Sequence, residues 1–366
     1  MSGITGTNSG RSSGVVGSAG SGITTDSSDP TTSTNPSGGV GTVFTNTTSG
    51  ETYVCTDATG GSNVWTNVGD GTGNIKPTIP SQGTISGYMH GGYFAGVDNV
   101  IDKWSFSSDG NATNVGDSTY DHYASATSSD RGNGYGYCCG SGSPYIDTIE
   151  RVSYTSDGDA TDHSNLLDTI SHLAGHTSEL YGFASGGYLS PTVKNVIQKW
   201  QFSTTNNSTD VCDLASAQYM VSGGSSETHG YTSGGYNPSR MIQKFSFSST
   251  DDATDIADLT RPSSGSAATD SSTHGYHAGG DVGPSGSNVI DKHSFSSDDD
   301  STDVGDLTVT TNHMVAGQSS TTHGYTSGGA YPHSDVISKH SFSSDGNASD
   351  VGDLTQARHF AGGNQY

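Results

Sequence analysis

The chain has 366 residues, and 13 Lys and Arg against 37 Asp and Glu leave a formal charge of −24, which excludes nucleic acid and anionic membrane surfaces as partners on electrostatic grounds. A hydrophobic fraction of 29% beside 53 glycines excludes leucine- and alanine-rich helical repeats. No apolar run suits a leader or approaches the roughly 20 residues of a membrane span, so the expectation is a chain made in a cytoplasm, with no membrane insertion. Residues 1–40 are Gly, Ser, Thr, Asn and Pro without periodicity and read as a flexible arm. In residues 41–75 three short apolar runs, Thr42 to Phe44, Thr52 to Cys55 and Val64 to Val68, are separated by Ser49-Gly50 and Gly60-Gly61, the pattern of a small β-meander. So short a module lies below the usual size for independent folding, which suits anchoring or oligomerisation. Pro77 and Pro80 mark residues 76–82 as a linker.

From residue 83 to 366 one sentence recurs six times. Its clearest words are Lys103-Trp104-Ser105-Phe106, Arg151-Val152-Ser153-Tyr154, Lys199-Trp200-Gln201-Phe202, Lys244-Phe245-Ser246-Phe247, Lys292-His293-Ser294-Phe295 and Lys339-His340-Ser341-Phe342, with steps of 48, 48, 45, 48 and 47 residues. A second word, Gly-aromatic, keeps the same beat at Tyr88, Tyr137, Phe183, Tyr231, Tyr276 and Tyr325. A period in the upper forties with turn residues throughout predicts four-stranded propeller blades. In the last unit the strands are expected at Met314 to Ser319, His323 to Ser327, Asp335 to Ser343 and Ser349 to Leu354, with Asp345-Gly346-Asn347 as a tight hairpin turn. The first copy lacks a first strand, and the chain ends on Arg358 to Gly363, which matches Asn312 to Gly317. The C-terminal segment is therefore expected to complete the first blade and close a ring, giving an all-β fold with a six-bladed β-propeller.

Most candidate sites have an architectural reading. Cys138, Cys139 and Cys212 occupy slots filled by small residues in other repeats, which argues against a thiol site, and no metal is assigned. Each repeated Lys or Arg is expected to pair with the Asp of Val-Gly-Asp-Leu, at Asp117, Asp213, Asp258, Asp306 or Asp353. Asp345, Asn347 and Asp350 alternate like the start of a calcium loop, but no closing Glu follows. Ca2+ at such Asp-Gly turns is the one cofactor considered. A sialidase-type Ser-x-Asp-x-Gly-x-Thr-Trp box is absent, and no catalytic residues are assigned. The variable segment after the double glycine carries Tyr93, Phe94, Tyr145, Tyr188, Tyr236, Asn237, Arg240, Tyr331 and His333. Aromatics beside amides and charges suit stacking on sugar rings, so these form the candidate ligand-binding set.

Gly324-Tyr325-Thr326-Ser327-Gly328-Gly329 resembles the kelch repeat, though the usual downstream Tyr and Trp landmarks are replaced by Lys-x-Ser-Phe. Ser341 to Thr355, together with Ser319 to Gly329, is similar to the propeller-like proteins of marine bacteriophages. Tyr53 to Thr56 and Trp65 to Gly73 resemble short modules of phage tail and fibre proteins. The resemblance implies a virion structural protein, a tail fibre or particle-surface appendage made in the host cytoplasm. It further implies that residues 1–75 engage other virion proteins, that the chain is oligomeric in the assembly, and that the propeller is displayed for binding a host-surface glycan or a partner virion protein. The contrasting readings are a bacterial surface or secreted adhesin and a glycan-active enzyme; the lack of clustered acids speaks against the latter.

Overall fold

The computed structural model describes residues 23–69, 80–236, 239–283, 286–313, 315–330 and 332–366. Among them there are strands but no helix, and none long and apolar enough to cross a membrane. The chain divides into two compact units, Met1–Thr78 and Ile79–Tyr366.

In the first unit the alternation of apolar and polar residues puts Phe44, Tyr53, Cys55 and Trp65 on one buried face. Val43–Asn46, Thr52–Asp57 and Val64–Asn67 form the expected meander. The second half of the expected arm departs from the sequence reading. Thr24–Asp26 adds a fourth strand, parallel to Val43–Asn46. Asn46 Nδ2 donates to Asp29 Oδ1 at 2.7 Å, and Asn63 Nδ2 donates to the Thr32 carbonyl and to Asn35 Oδ1, both at 2.8 Å. Side-chain amides hold this segment where hydropathy gives no signal.

The described residues of the second unit form six four-stranded antiparallel sheets and one two-stranded ribbon, a β-propeller-like architecture. The first sheet consists of Gly362–Gln365, Ser86–Tyr93, Val97–Ser105 and Thr113–His122, so the C-terminal strand pairs with Ser86–Tyr93. The second runs Ala126–Asp130, Tyr135–Gly142, Tyr145–Ser153 and Thr161–Asn165. The third runs Ala174–Thr177, Tyr181–Ser185, Val196–Gln201 and Thr209–Asp213, and the ribbon pairs Tyr188–Leu189 with Thr192–Val193. The fourth runs Ser222–Ser225, His229–Ser233, Ser239–Ser246 and Thr254–Ser263. The fifth runs Ala267–Asp270, His274–Ala278, Ser287–Ser294 and Thr302–Thr311. The sixth runs Ala316–Ser319, His323–Ser327, Val336–Ser341 and Ser349–Asp353.

The two repeated words of the sequence are the two halves of one contact. The Gly-aromatic ring of each sheet packs on the terminal ring of the Lys-x-Ser-aromatic word of the next. The pairs are Tyr88 with Tyr154 at 4.7 Å, Tyr137 with Phe202 at 4.9 Å, Phe183 with Phe247 at 4.9 Å, Tyr231 with Phe295 at 4.8 Å and Tyr276 with Phe342 at 5.0 Å. Tyr325 with Phe106, at 4.8 Å, closes the sixth sheet on the first. Offset ring pairs of this kind add about 0.5–1.5 kcal/mol beyond their area burial.

The Asp-Gly segments correct two expectations. They are not tight hairpin turns: residues 342–348 form a longer loop that reaches the preceding sheet. There Ala348 N–H donates to the Asp306 carbonyl, and Asn347 Oδ1 accepts from the Asp306 N–H. Lysine accordingly pairs with the loop Asp of the following sheet, not with the Asp of Val-Gly-Asp-Leu. Lys103 meets Asp157 at 2.8 Å, Lys244 Asp298 at 2.6 Å, Lys292 Asp345 at 2.5 Å and Lys339 Asp109 at 2.5 Å. Where the loop carries Thr205 or Thr250 at that place, the cation lies over a ring of its own sheet instead. Arg151 covers Tyr135 at 4.6 Å and Lys199 covers Tyr181 at 4.9 Å. The oxygens considered for calcium face protein donors, since Asp345 receives Lys292, Asn347 the Asp306 N–H and Asp350 the Gly352 N–H.

Candidate functional site

The six innermost strands surround a narrow channel. Glycines there permit close approach: a Cβ at Gly175 would strike the Thr127 backbone and one at Gly317 the Ala268 backbone. The remaining spaces, about 70 and 50 Å³, are lined by Ser, Thr, Ala and Gly with few larger side chains, room for waters and not for a substrate. One end is plugged by Ser81 and Gln82. Gln82 Nε2 donates to the carbonyls of Asp270 and Ser320 at 3.1 and 3.2 Å, and Arg131 donates to the Gln82 carbonyl at 2.6 Å. Asp270 is buried beside this plug, its Oδ2 accepting from the Ser225 N–H at 2.8 Å, and burial pushes its carboxyl up to about 7.

The other end is closed by backbone. Ala124, His172, Met220, Gly265 and Phe360 occupy one position of successive repeats, all with left-handed φ of 55–62°. Four of these amides donate to the neighbouring carbonyl: Ala124 to Phe360 at 2.8 Å, His172 to Ala124 at 2.7 Å, Met220 to His172 at 3.0 Å and Gly265 to Met220 at 2.7 Å. The non-glycine members are strained backbone held by their surroundings, a feature that concentrates at functional surfaces.

On this floor lies a continuous run of rings. Phe94 meets His333 at 5.1 Å, His333 meets His359 at 5.0 Å, and His359 meets Tyr93 at 5.6 Å. Tyr93 touches Tyr123 at 6.0 Å, Tyr123 packs on Phe360 at 4.4 Å, and His172 bridges Phe360 and Tyr219 at 5.7 and 5.9 Å. Tyr219 lies between Tyr188 at 5.0 Å and Tyr236 at 4.7 Å. A cavity of about 610 Å³ opens among Tyr93, Val97, Tyr123, Ser143, His313, His359 and Phe360. Burial drives the imidazoles of His172 and His359 down to about 4, in the latter case with help from His333 and His313. Burial and the neighbouring phenols push Tyr219 up to about 12. At neutral pH these three groups are uncharged, so they offer rings and hydrogen bonds to a neutral polar ligand.

Five predicted residues thus converge: Tyr93, Phe94, Tyr188, Tyr236 and His333. The exposed fractions of Tyr93, Phe94 and Tyr236, 38%, 49% and 49%, leave ring surface for a ligand. Tyr145, 41% exposed on the second sheet, joins none of these ring pairs among the described residues. Arg240 is engaged elsewhere, its Nε donating to the Leu259 carbonyl at 2.9 Å with Asp258 at 4.0 Å. Asn237 and Tyr331 lie outside the described residues. The sequence reading missed Tyr123, His172, Tyr219, His313, His359 and Phe360. Their signal was available, since they fall just before the innermost strand in repeat after repeat.

A different group could hold a metal. His90, Cys138 and Glu150 are all buried, with one potential ligand atom from each within 4.8 Å of the others.

No family model and no curated protein matches the chain. Among solved structures, that of YjhT is similar with a TM-score of 0.56, covering 67% of this chain and 88% of that one at 11% identity. Likeness at that identity shows the fold alone, here a β-propeller.

Proposed function

We propose that the chain is a recognition protein without catalytic machinery, a six-bladed kelch-like β-propeller carried on a phage particle and turned toward a host-surface glycan. The observation that carries this reading is the unbroken run of rings from Phe94 to Tyr236 over a backbone-closed channel. Sugar rings present an apolar face and a rim of hydroxyls, which matches exposed Tyr and Phe interleaved with imidazoles and phenols. The small polar channel gives no place for turnover, which favours binding at the surface. The blade count is supported by the six sheets and by ties that run from the sixth back to the first. The assignment to a virion, with residues 1–75 meeting other virion proteins in an oligomeric assembly, rests on the phage-like wording of the repeats and of the Tyr53 and Trp65 segments.

The test is titration of the full chain against a panel of neutral and acidic oligosaccharides, without and with Tyr93→Ala and Tyr236→Ala. Loss of one stacking ring is expected to weaken Kd roughly five- to tenfold, about 1–1.5 kcal/mol. A ligand that binds equally well to both variants, or steady turnover of any panel member, would overturn the reading.

A further inference from the structure

His90 on Ser86–Tyr93, His122 at the end of Thr113–His122, Cys138 on Tyr135–Gly142 and Glu150 on Tyr145–Ser153 meet between the first and second sheets, all fully buried. The positions of His90 and Cys138 carry other side chains elsewhere. The places of His90 and Cys138 are taken by Ser233 and Thr232 in the fourth sheet and by Ser327 and Thr326 in the sixth, as the shared strand register shows. Glu150 does have counterparts, since Asp102 and Asp291 at the same place each accept from a Thr hydroxyl and pair with an Arg. Repetition therefore accounts for a His122–Glu150 pair but not for His90 and Cys138 beside it.

His90, His122 and Glu150 each have one atom held by an outer partner and another turned inward. His90 Nε2 stands 3.2 Å from Asn364 Oδ1, an oxygen oriented by the Asn364 amide bonding the Tyr137 carbonyl. An amide oxygen only accepts, so Nε2 carries the hydrogen, and the buried Nδ1 is left as an unpartnered lone pair. His122 Nδ1 stands 3.1 Å from the Gly140 carbonyl and so carries its hydrogen, leaving Nε2 2.9 Å from Glu150 Oε1. Glu150 Oε2 accepts from the Thr119 N–H and hydroxyl at 2.7 and 2.6 Å, which leaves Oε1 facing the cluster. Cys138 Sγ lies 3.2 Å from Ser125 Oγ. Imidazoles that donate one N–H to an oxygen and present the other nitrogen to a shared point are the usual outer arrangement of a metal site.

We propose that His90 Nδ1, His122 Nε2, Cys138 Sγ and Glu150 Oε1 bind one zinc ion. Two imidazoles, a thiolate and a carboxylate form a zinc donor set, and bonds of about 2.0–2.3 Å place ligand atoms about 3–4 Å apart. The His90, Cys138 and Glu150 atoms lie within 4.8 Å of one another, so small side-chain shifts complete the set. The ion is structural: the site is closed to solvent, and through Asn364 it adjoins the C-terminal strand that completes the first sheet. It would clasp the ring beside its seam. Cys139, one residue on, faces the opposite side of the strand and packs with Leu166, Leu173 and Trp200.

The experiment produces the full chain in minimal medium containing Co2+ as a spectroscopic stand-in for Zn2+, and in parallel with Zn2+. The expected result is about one metal per chain, with thiolate-to-cobalt charge-transfer absorption in the cobalt form. Cys138→Ser is expected to abolish that absorption, and His90→Gln to lower retained metal tenfold or more, while Cys139→Ser leaves both unchanged. Circular dichroism establishes that each variant is folded, and Glu150→Gln, which keeps the side-chain shape, replaces any that is not. Substoichiometric metal in the folded wild-type protein overturns the proposal and leaves a buried His122–Glu150 ion pair as the content of this interface. Equal charge-transfer absorption in Cys138→Ser and Cys139→Ser also overturns it.

Discussion

If stacked rings hold the sheets together and the exposed ion pairs only trim their edges, the two ties of one interface should differ several-fold in cost. Tyr325 and Phe106 join the sixth sheet to the first with ring centroids 4.8 Å apart, and Tyr325 is buried with Ile337, Leu354 and Trp104. Tyr325→Ala removes a large buried aromatic, a change that costs about 3–5 kcal/mol. Lys339→Ala at the same interface breaks only the pair with Asp109, whose carboxylate is largely exposed, and such pairs contribute about 0.2–1 kcal/mol. At about 2–4 °C per kcal/mol for a domain of this size, Tyr325→Ala should lower Tm by roughly 6–20 °C and Lys339→Ala by no more than about 4 °C. Differential scanning calorimetry of the full chain reads both shifts, and urea midpoints at constant m supply the free energies. The double variant Phe106→Ala/Tyr325→Ala should cost less than the sum of its singles by about 0.5–1.5 kcal/mol, the coupling of the ring pair. A Tm for Tyr325→Ala no lower than that of Lys339→Ala would refute the reasoning.

Two further outcomes follow from the channel. Asp270 ionises near 7 in the folded chain against an ordinary value near 4, so between those values the folded state holds the extra proton. This group's contribution therefore falls as pH rises from about 4 to 7, by on the order of 4 kcal/mol, and is flat above. Asp270→Asn should gain stability relative to the wild type as pH goes from 5 to 8 in urea titrations, and a difference constant across that range would refute the assignment. Gly317→Ala presses a methyl group into the Ala268 backbone and should cost about 1–3 kcal/mol, whereas Gly96→Ala meets open space and should be near neutral by the same urea measurement.

The fold was legible because the repeat carries its own packing. The Gly-aromatic and Lys-x-Ser-aromatic words sit at fixed offsets, and the structure joins them ring to ring at every interface. The end of the chain announced its own role, since Arg358 to Gly363 reads like a first strand and pairs with the strand that lacks one. What stayed hidden was direction. Asp109 and Asp117 both follow Lys103 within its own repeat, yet Lys103 selects Asp157 on the next sheet. Sequence spacing orders residues within a repeat and says nothing about which side of it a loop leans. The aromatic face was half legible for a related reason. Variability marked Tyr93, Phe94, Tyr188, Tyr236 and His333, but Tyr123, Tyr219 and Phe360 lie just before the innermost strand, outside the variable segment. In the first unit, the segment from Thr24 to Asn35 is held by amide and carbonyl groups, a signal that composition cannot carry.

The central claim is display of the aromatic face from a phage particle, and electron cryomicroscopy of particles captured with an antibody to this chain tests it most directly. The account predicts density for the ring of sheets projecting from the virion, with Phe94, Tyr93 and Tyr236 facing outward and residues 1–75 docked toward the particle. Absence of the chain from purified particles, or an aromatic face buried against the particle body, would contradict it.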